Sequence, residues 1–209
     1  MINMKRILFI CSLLICSSIT KAETSALETF DANLYGWLEF VKNDGSAIIK
    51  DGVMKLEGKV DLSSFFTPSS NIITSCYAPI NPRENFIYKC DAIAKRINDA
   101  GYFGLIFDYM DDYNYSVFFI GKGDKNAEVI YNRVVDGELV GMRSADLKLK
   151  QKRKAEFHFE IRALHDKVVF NCNEMQVMEI RYCPIRCSGI GFCVRGKQSV
   201  DFDNVVFIQ

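Results

Sequence analysis

The sequence predicts an all-β protein whose strands form a two-layer antiparallel sandwich. Turn-forming residues recur roughly every 8–12 residues, several segments alternate between apolar and polar side chains, and no long amphipathic helix is present in the pattern. The chain has 209 residues and is 49% hydrophobic, which is ample for one hydrophobic core. No internal repeat, low-complexity tract or linker divides it, so we expect one domain after the N-terminal segment.

The first 22 residues have the features of a secretory leader. A basic pair precedes an apolar run over residues 7–15, and Ala22 completes a small-x-small cleavage pattern. We expect cleavage after Ala22 and a mature domain over residues 23–209. The run is shorter than the ~20 residues that a membrane-spanning helix needs, so no membrane span is predicted.

A rival interpretation makes Cys16 the acylated residue of a lipoprotein. Leucines precede it, but Ile15 stands where a small residue is usual. Both interpretations predict export to the periplasm, the medium, or the outer membrane or cell surface.

The next part of the chain predicts short strands separated by turns. Asp51-Gly52 is a turn signal followed by a strand, and residues 61–70 read as a loop. Residues 72–76 form a weak strand. Residues 86–97 alternate between apolar and polar side chains, which favours a strand over a short helix.

Residues 101–120 predict the central hairpin. In the first arm Phe103, Leu105 and Phe107 fall on one side of the strand, with a polar turn at residues 111–114. The second arm, residues 115–120, is apolar on both faces, as expected for a strand deep in a two-layer β protein.

The later part of the chain continues the strand pattern, with turns at Asp136-Gly137 and Asn173-Glu174. The predicted strands cover residues 128–134, 155–164, 167–172, 177–180, 189–194 and 200–208.

Lysine plus arginine and aspartate plus glutamate are equal at 26 each. A balanced charge gives no reason to expect a nucleic-acid partner or a disordered acidic chain.

Two of the 8 cysteines lie in the leader, which leaves six in the mature domain. An even number in an exported protein permits disulfides, and we expect at least one at Cys183 or Cys187, which flank Pro184. The alternative is that several are buried free thiols. The spacing of Cys183, Cys187 and Cys193 lacks a zinc knuckle, and neither histidine is adjacent to it.

Taken in order, these features resemble the concanavalin A-like lectin and glucanase superfamily, in its laminin G-like and 3-keto-disaccharide hydrolase-like branch. The matching pieces are Phe30-Asp31 with Gly36-Trp37, Asp51-Gly52-x-Met54-x-Leu56, residues 101–107 with Asp112-x-Asn114-Tyr115, Phe157-x-Phe159-x-Ile161, residues 169–171, Gly189-Ile190-Gly191-Phe192 and residues 200–205. The resemblance covers nearly all of residues 28–209. It implies a jelly roll of two antiparallel sheets whose concave face carries any sugar site.

Sugar rings stack on aromatic side chains, and their hydroxyls need directional polar partners. On this basis the candidate carbohydrate-binding residues are Tyr102, Asp108, Tyr109, Asp112, Tyr113, Asn114 and Arg133. Asp108 is informative because a carboxylate on a central strand needs a partner or solvent. For Tyr113 and Asn114 the competing interpretation is turn chemistry, and for Trp37 it is core packing.

Two further candidate sites are carried by acidic residues and a histidine. Retaining glucanases of this fold carry Glu-x-Asp-x-x-Glu, and the sequence lacks that motif, which argues against an enzyme without excluding one. Glu156, His158 and Glu160 share one strand face, where His158 is a candidate general base on an otherwise solvated surface. Asp31 and Asp203 are candidate calcium ligands near the chain ends, where related jelly rolls often bind this ion; no other cofactor is expected.

Three functions follow as hypotheses. The first is an exported glycan-binding domain that recognises a poly- or oligosaccharide on its concave sheet. The second is a glycoside hydrolase resembling the 3-keto-disaccharide hydrolases, and the third is an adhesive domain that binds protein.

Overall fold

The computed structural model describes residues 23–61, 71–95, 101–122, 126–148, 155–181 and 183–209. The predicted leader, with its Cys16 acylation alternative, lies outside these residues, as does nearly all of the loop predicted over residues 61–70. The described residues contain no helix long and apolar enough to cross a membrane.

The described residues fold into β-strands joined by turns and short loops. The strands are β1 (Ser25–Glu28), β2 (Phe40–Val41), β3 (Gly45–Lys50), β4 (Val53–Gly58), β5 (Asn71–Tyr77), β6 (Phe86–Ala94), β7 (Tyr102–Asp111), β8 (Asn114–Lys122), β9 (Ala127–Val135), β10 (Glu138–Leu147), β11 (Ala155–Leu164), β12 (Lys167–Cys172), β13 (Met175–Arg181), β14 (Gly189–Arg195) and β15 (Gln198–Ile208).

The strands form two antiparallel sheets. The larger sheet has the order β13-β12-β11-β6-β15-β4-β3-β2, with β1 also pairing with β15. The smaller sheet has the order β10-β9-β8-β7-β14-β5, and the predicted hairpin forms its β7–β8 pair. The all-β, two-sheet fold class predicted from the sequence is therefore confirmed.

The core lies between the sheets and is rich in stacked aromatic rings. The Phe192 ring stacks on Trp37 at 4.7 Å between centroids and on Phe202 at 4.0 Å. Trp37 is buried, so its core-packing interpretation is correct. Such offset ring pairs add to the stabilisation that burial of the aromatic surface already provides.

A second apolar cluster lies on the other face of the smaller sheet. Because β8 is apolar on both faces, Phe118 and Ile120 enter the main core while Val117 and Phe119 point the opposite way. Ile106 of β7 and Cys193 of β14 join Val117 and are fully buried. The middle of this face is therefore largely apolar, with Asn132 of β9, the register partner of Val117, buried in it.

Three tight turns close hairpins with successive residues in the left-handed region. These are Asp51-Gly52, Asp136-Gly137 and Asn173-Glu174, with φ values between 50° and 80°. Positive φ at both central residues is typical of the type I′ turn, whose twist matches that of the flanking strands. All three turns were predicted, but β10, which follows the second, was not.

The predicted disulfide is absent from the structure. Cys76, Cys90, Cys172, Cys183, Cys187 and Cys193 are all free thiols, so the alternative interpretation of free thiols is the one observed. Cys90 and Cys193 are buried, and burial raises the pKa of both thiols well above the usual value. Cys183 and Cys187 each have polar partners of their own, as described below.

Candidate functional site

The predicted carbohydrate-binding residues do not form one cluster. Tyr102 lies at the start of β7 and Tyr109 near its end, so the two are about 23 Å apart along the strand at ~3.3 Å per residue. Asp108 and Arg133 meet at a buried position. Tyr109, Asp112 and Tyr113 lie together at the end of the β7–β8 hairpin.

Tyr102 has a structural role. Its ring covers Gly121, its register partner on β8, so closely that a Cβ atom there would lie 2.2 Å from the ring. The ring also packs edge-on against Phe119, and the hydroxyl donates to Glu128. Burial and then the Glu128 charge raise the pKa of the Tyr102 phenol. The ring is therefore occupied in covering the sheet.

Asp108 is buried and does not line a groove, which corrects the sequence-based expectation. The strand register shifts between Phe107 and Asp111, and Asp108 has φ 53°. Such a bulge redirects a side chain out of the alternation of the strand. The Asp108 carboxylate accepts hydrogen bonds from the Arg186 backbone N–H at 2.6 Å, from Arg186 Nε at 2.9 Å and from the Cys187 backbone N–H at 3.1 Å. It therefore anchors the loop that precedes β14.

Arg133 belongs to the same buried network. Its guanidinium lies 3.8 Å from Asp108 and 3.3 Å from Cys183 Sγ. The Tyr131 hydroxyl is also near this sulfur, at 3.5 Å, while Cys187 Sγ donates to the Tyr109 carbonyl. Cys183 and Cys187, at one of which a disulfide was expected, thus both take part in polar contacts around Asp108.

The hairpin end borders a pocket of about 250 Å³. The Tyr109 hydroxyl donates to Asp112 at 2.7 Å, and Tyr113 is 64% exposed. Burial first, and the bond to Asp112 second, raise the pKa of Tyr109 above the usual range, so its phenol remains a neutral donor. The rest of the lining comes from Leu38, Phe40, Lys42, Asp44, Asn71, Ile72 and Ile73.

Asn114 sits beside this pocket and performs turn chemistry. Its amide donates to Asp111, whose carboxylate also accepts from the Tyr113 backbone N–H, and its oxygen accepts from the Asp136 N–H. The turn-chemistry interpretation is therefore correct for Asn114. For Tyr113 the backbone forms the turn while the ring is left on the surface.

The pocket contains residues that sequence reasoning missed. Phe40 and Lys42 follow the loop after Trp37, and the Lys42 ammonium lies 4.8 Å from the centre of the Phe40 ring, a cation–π arrangement. Asn71 starts β5 and donates to the Tyr115 hydroxyl at 2.7 Å. These residues are 30 or more positions from the hairpin, and no short motif links them to it.

Among the described residues, no further candidate calcium ligands join Asp31 and Asp203. Asp31 accepts from the Thr29 hydroxyl, and Asp203 accepts from the Asn204 backbone N–H. Burial, followed by the charges of Asp91 and Asp31, raises the pKa of Asp203. In the part of the chain that the structure describes, no group of three or more His, Cys, Asp or Glu side chains could hold a metal ion.

A polar groove lies on the exposed face of the larger sheet. It measures about 530 Å³ and is lined by His158, Asp91, Asn204 and Glu160, among others. Burial alone would raise the pKa of Glu160, but hydrogen bonds from Arg162, Lys89 and Asn171 lower it to about 2. Glu160 is therefore a fixed anion and not a proton donor near neutral pH.

No protein-family model matches the chain, and no curated protein matches it. Solved structures do. The carbohydrate recognition domain of Emp47p aligns with a TM-score of 0.59 at 9% identity, covering 88% of this chain and 93% of that one. The β-glucanase of Bacillus licheniformis aligns with a TM-score of 0.58 at 11% identity, covering 88% and 97%.

A Bacillus subtilis protein of unknown function with a galectin-like fold aligns with a TM-score of 0.58 at 12% identity, covering 87% of this chain and 94% of that one. The concanavalin A-like jelly-roll fold implied by the sequence resemblance is confirmed. At these identities the likeness concerns the fold, because one fold hosts many activities.

Proposed function

We propose that this chain is an exported carbohydrate-binding domain whose site is the pocket at the end of the β7–β8 hairpin. The observation that carries the proposal is the exposed Tyr113 ring beside the Tyr109–Asp112 pair. Aromatic faces stack on the apolar side of a sugar ring, and neutral phenol donors with carboxylate acceptors suit its hydroxyls.

The remaining lining supports the same ligand class. Phe40 adds a second aromatic surface, while Lys42, Asp44 and Asn71 add directional polar groups. A pocket of this size accommodates one or two sugar units rather than a broad protein surface. The shared fold with a carbohydrate recognition domain and a β-glucanase is consistent with the proposal.

Export rests on the leader alone. Cleavage after Ala22 gives a free protein, and acylation at Cys16 gives a membrane-anchored one. The intact mass of the protein recovered from its native host separates these two forms.

The test is affinity electrophoresis of residues 23–209 through gels that contain a panel of polysaccharides. Wild-type protein should be retarded by one glycan class. Tyr113→Ala should lose about 1 kcal/mol of binding energy or more, which corresponds to roughly a fivefold weaker Kd, the scale of the ~0.5–1.5 kcal/mol that stacked aromatic pairs contribute beyond burial.

The matched control is Tyr77→Ala, because Tyr77 is equally exposed, at 66%, and lies outside the pocket. Equal loss of retardation in both variants would place the sugar elsewhere. Shortened polysaccharide recovered from the gel would favour the hydrolase hypothesis. No retardation by any glycan would overturn the carbohydrate-binding proposal and favour the protein-binding hypothesis.

A further inference from the structure

The exposed face of the larger sheet carries a row of ionisable residues that the proposed sugar pocket does not use. His158 on β11 is the register partner of Asp91 on β6, and Asp91 is the register partner of Asp203 on β15. Neighbouring strands are ~4.8 Å apart, so the three side chains stand side by side across the sheet.

Asp91 links two of its neighbours by hydrogen bonds. His158 Nδ1 lies 2.6 Å from Asp91 Oδ1, and the Asn204 amide donates to Asp91 Oδ2 at 2.9 Å. Since an ionised carboxylate only accepts, a neutral imidazole in this position carries its proton on Nδ1. The lone pair then lies on Nε2, which has no hydrogen-bond partner among the described residues.

Local backbone features fix this arrangement. The His158 backbone is bonded on both sides by Asn173, whose side chain accepts from its N–H and whose N–H donates to its carbonyl, each at 2.8 Å. Asn204 has φ 50° and lies where the register of β15 shifts. Bulges and left-handed residues at such a point redirect a side chain, here the amide that contacts Asp91.

The hydrogen-bonded side chains of Asn204, Asp91 and His158 lie between two cavities. The groove of about 530 Å³ and an adjoining pocket of about 210 Å³ share these three residues. The His158 side chain is 67% exposed. An oriented imidazole at the junction of two cavities is within reach of a bound ligand.

We propose that this groove is a hydrolytic site in which His158, positioned by Asp91, acts as a general base on water that attacks an O-acyl ester. Nε2 takes a proton from the water as its oxygen bonds to the ester carbonyl carbon. The carbon–oxygen bond to the alcohol then breaks, and the imidazolium returns the proton to the departing alkoxide. One ester and one water give one carboxylic acid and one alcohol.

An ester suits the groove better than a glycosidic bond. Glycosidic cleavage needs a carboxylic acid that protonates the leaving oxygen. In the groove Glu160 is held as an anion by Arg162 and Lys89, and Asp203, whose pKa is raised by burial, lines the adjoining pocket instead of the groove. Ester hydrolysis needs a base that returns its own proton, together with positive charge for the developing oxyanion. Lys89, two residues from Asp91 on the same strand face, and Arg162 both pair with Glu160, so these three groove residues carry one net positive charge that can act on the oxyanion.

The activity test uses residues 23–209 with p-nitrophenyl acetate and with O-acetylated xylan as probes. His158→Gln should lower kcat/KM for ester hydrolysis at least 100-fold, within the ~10²–10⁴-fold range of general-base catalysis. The matched control is His165→Gln, because His165 is the other of the 2 histidines and lies in the β11–β12 turn. It should leave the rate unchanged.

A second measurement does not depend on activity. Nitrogen-15 NMR of the two histidines should show His158 protonated on Nδ1 when neutral. Asp91→Asn should transfer that proton to Nε2, because an amide can donate to Nδ1, and should also lower kcat/KM. A tautomer that Asp91→Asn leaves unchanged, or a tautomer change with no loss of kcat/KM, would contradict the positioning role of Asp91.

Release of reducing ends instead of acetate would overturn the ester assignment. Absence of acetate release above buffer, or equal rates in wild type and His158→Gln, would overturn the catalytic role. The two sites remain distinguishable, because His158→Gln should retain wild-type retardation in the polysaccharide gels and Tyr113→Ala should retain wild-type ester hydrolysis.

Discussion

Replacement of Asp108 provides the sharpest test of how the hairpin and the loop before β14 are joined. In Asp108→Ala, the backbone N–H groups of Arg186 and Cys187 lose their acceptor, and the Arg133 guanidinium loses its nearest carboxylate. Removal of one partner from a buried charged network costs ~3–5 kcal/mol. For a domain of this size each kcal/mol lowers Tm by roughly 2–4 °C, so Tm should fall by about 6–20 °C.

Asp108→Asn separates the charge from the hydrogen bonds. Asparagine tolerates the left-handed backbone and keeps an oxygen that accepts from both N–H groups, so its loss should be about half that of alanine. The control is Asp112→Ala on the exposed end of the same hairpin, which should change stability by less than about 0.5 kcal/mol while weakening sugar binding.

Thermal and urea unfolding, followed by circular dichroism, measure these differences. A change in the Tm of Asp108→Ala of less than about 2 °C would be only what a surface substitution causes. Together with weaker sugar binding, it would refute a buried anchoring role for Asp108. That result would place the Asp108 side chain in an open groove, as the sequence pattern suggested.

Three further predictions concern acid stability, a turn and a thiol. The pKa of Glu160 is lowered from 4.5 to about 2, so its contribution to stability is complete above pH 4.5 and disappears as the pH falls towards 2. Glu160→Gln should therefore make the free energy of unfolding depend less on pH between these two values. Glu174 has φ 65°, so Glu174→Gly should raise stability by about 1 kcal/mol, measured by urea unfolding, whereas Asn173→Gly should lower stability because it removes the side-chain acceptor of the His158 backbone N–H. Cys187 is the one half-buried thiol among the six that the structure describes, so peptide mapping after brief iodoacetamide treatment should find it modified first; equal labelling of Cys90 would contradict the burial pattern.

Most of the fold was predictable because it depends on local periodicity. The alternation of β7 and β11 and the turn signals at Asp51-Gly52 and Asp136-Gly137 are properties of adjacent residues. Among the strands that were not predicted, β10 is an edge strand whose residues are mostly exposed on both faces, so it lacks the apolar alternation that marks a half-buried strand.

The site was less predictable because it depends on breaks in periodicity and on distant segments. Alternation assigns the Asp108 side chain to the outer face of the sheet, but the bulge turns it towards Arg186. Nothing in the neighbouring residues signals this break. Phe40 and Asn71 reach the hairpin only through the sheet order. Tyr109 and Tyr113 could be named as candidates from the sequence because they belong to the hairpin itself.

The distribution of apolar residues explains why the two candidate sites lie where they do. Since β8 is apolar on both faces, its outer face forms part of an apolar cluster in the middle of the smaller sheet, and the polar groups of the proposed sugar pocket lie at the hairpin end. On the larger sheet, β11 alternates, so His158 is left on the surface beside Asp91. The two sites share no lining residue, so they should be energetically independent. The double variant Tyr113→Ala/His158→Gln should therefore lose binding and hydrolysis by the same factors as the single variants, and a departure beyond twofold in either measurement, about 0.4 kcal/mol, would show that the two sites are coupled.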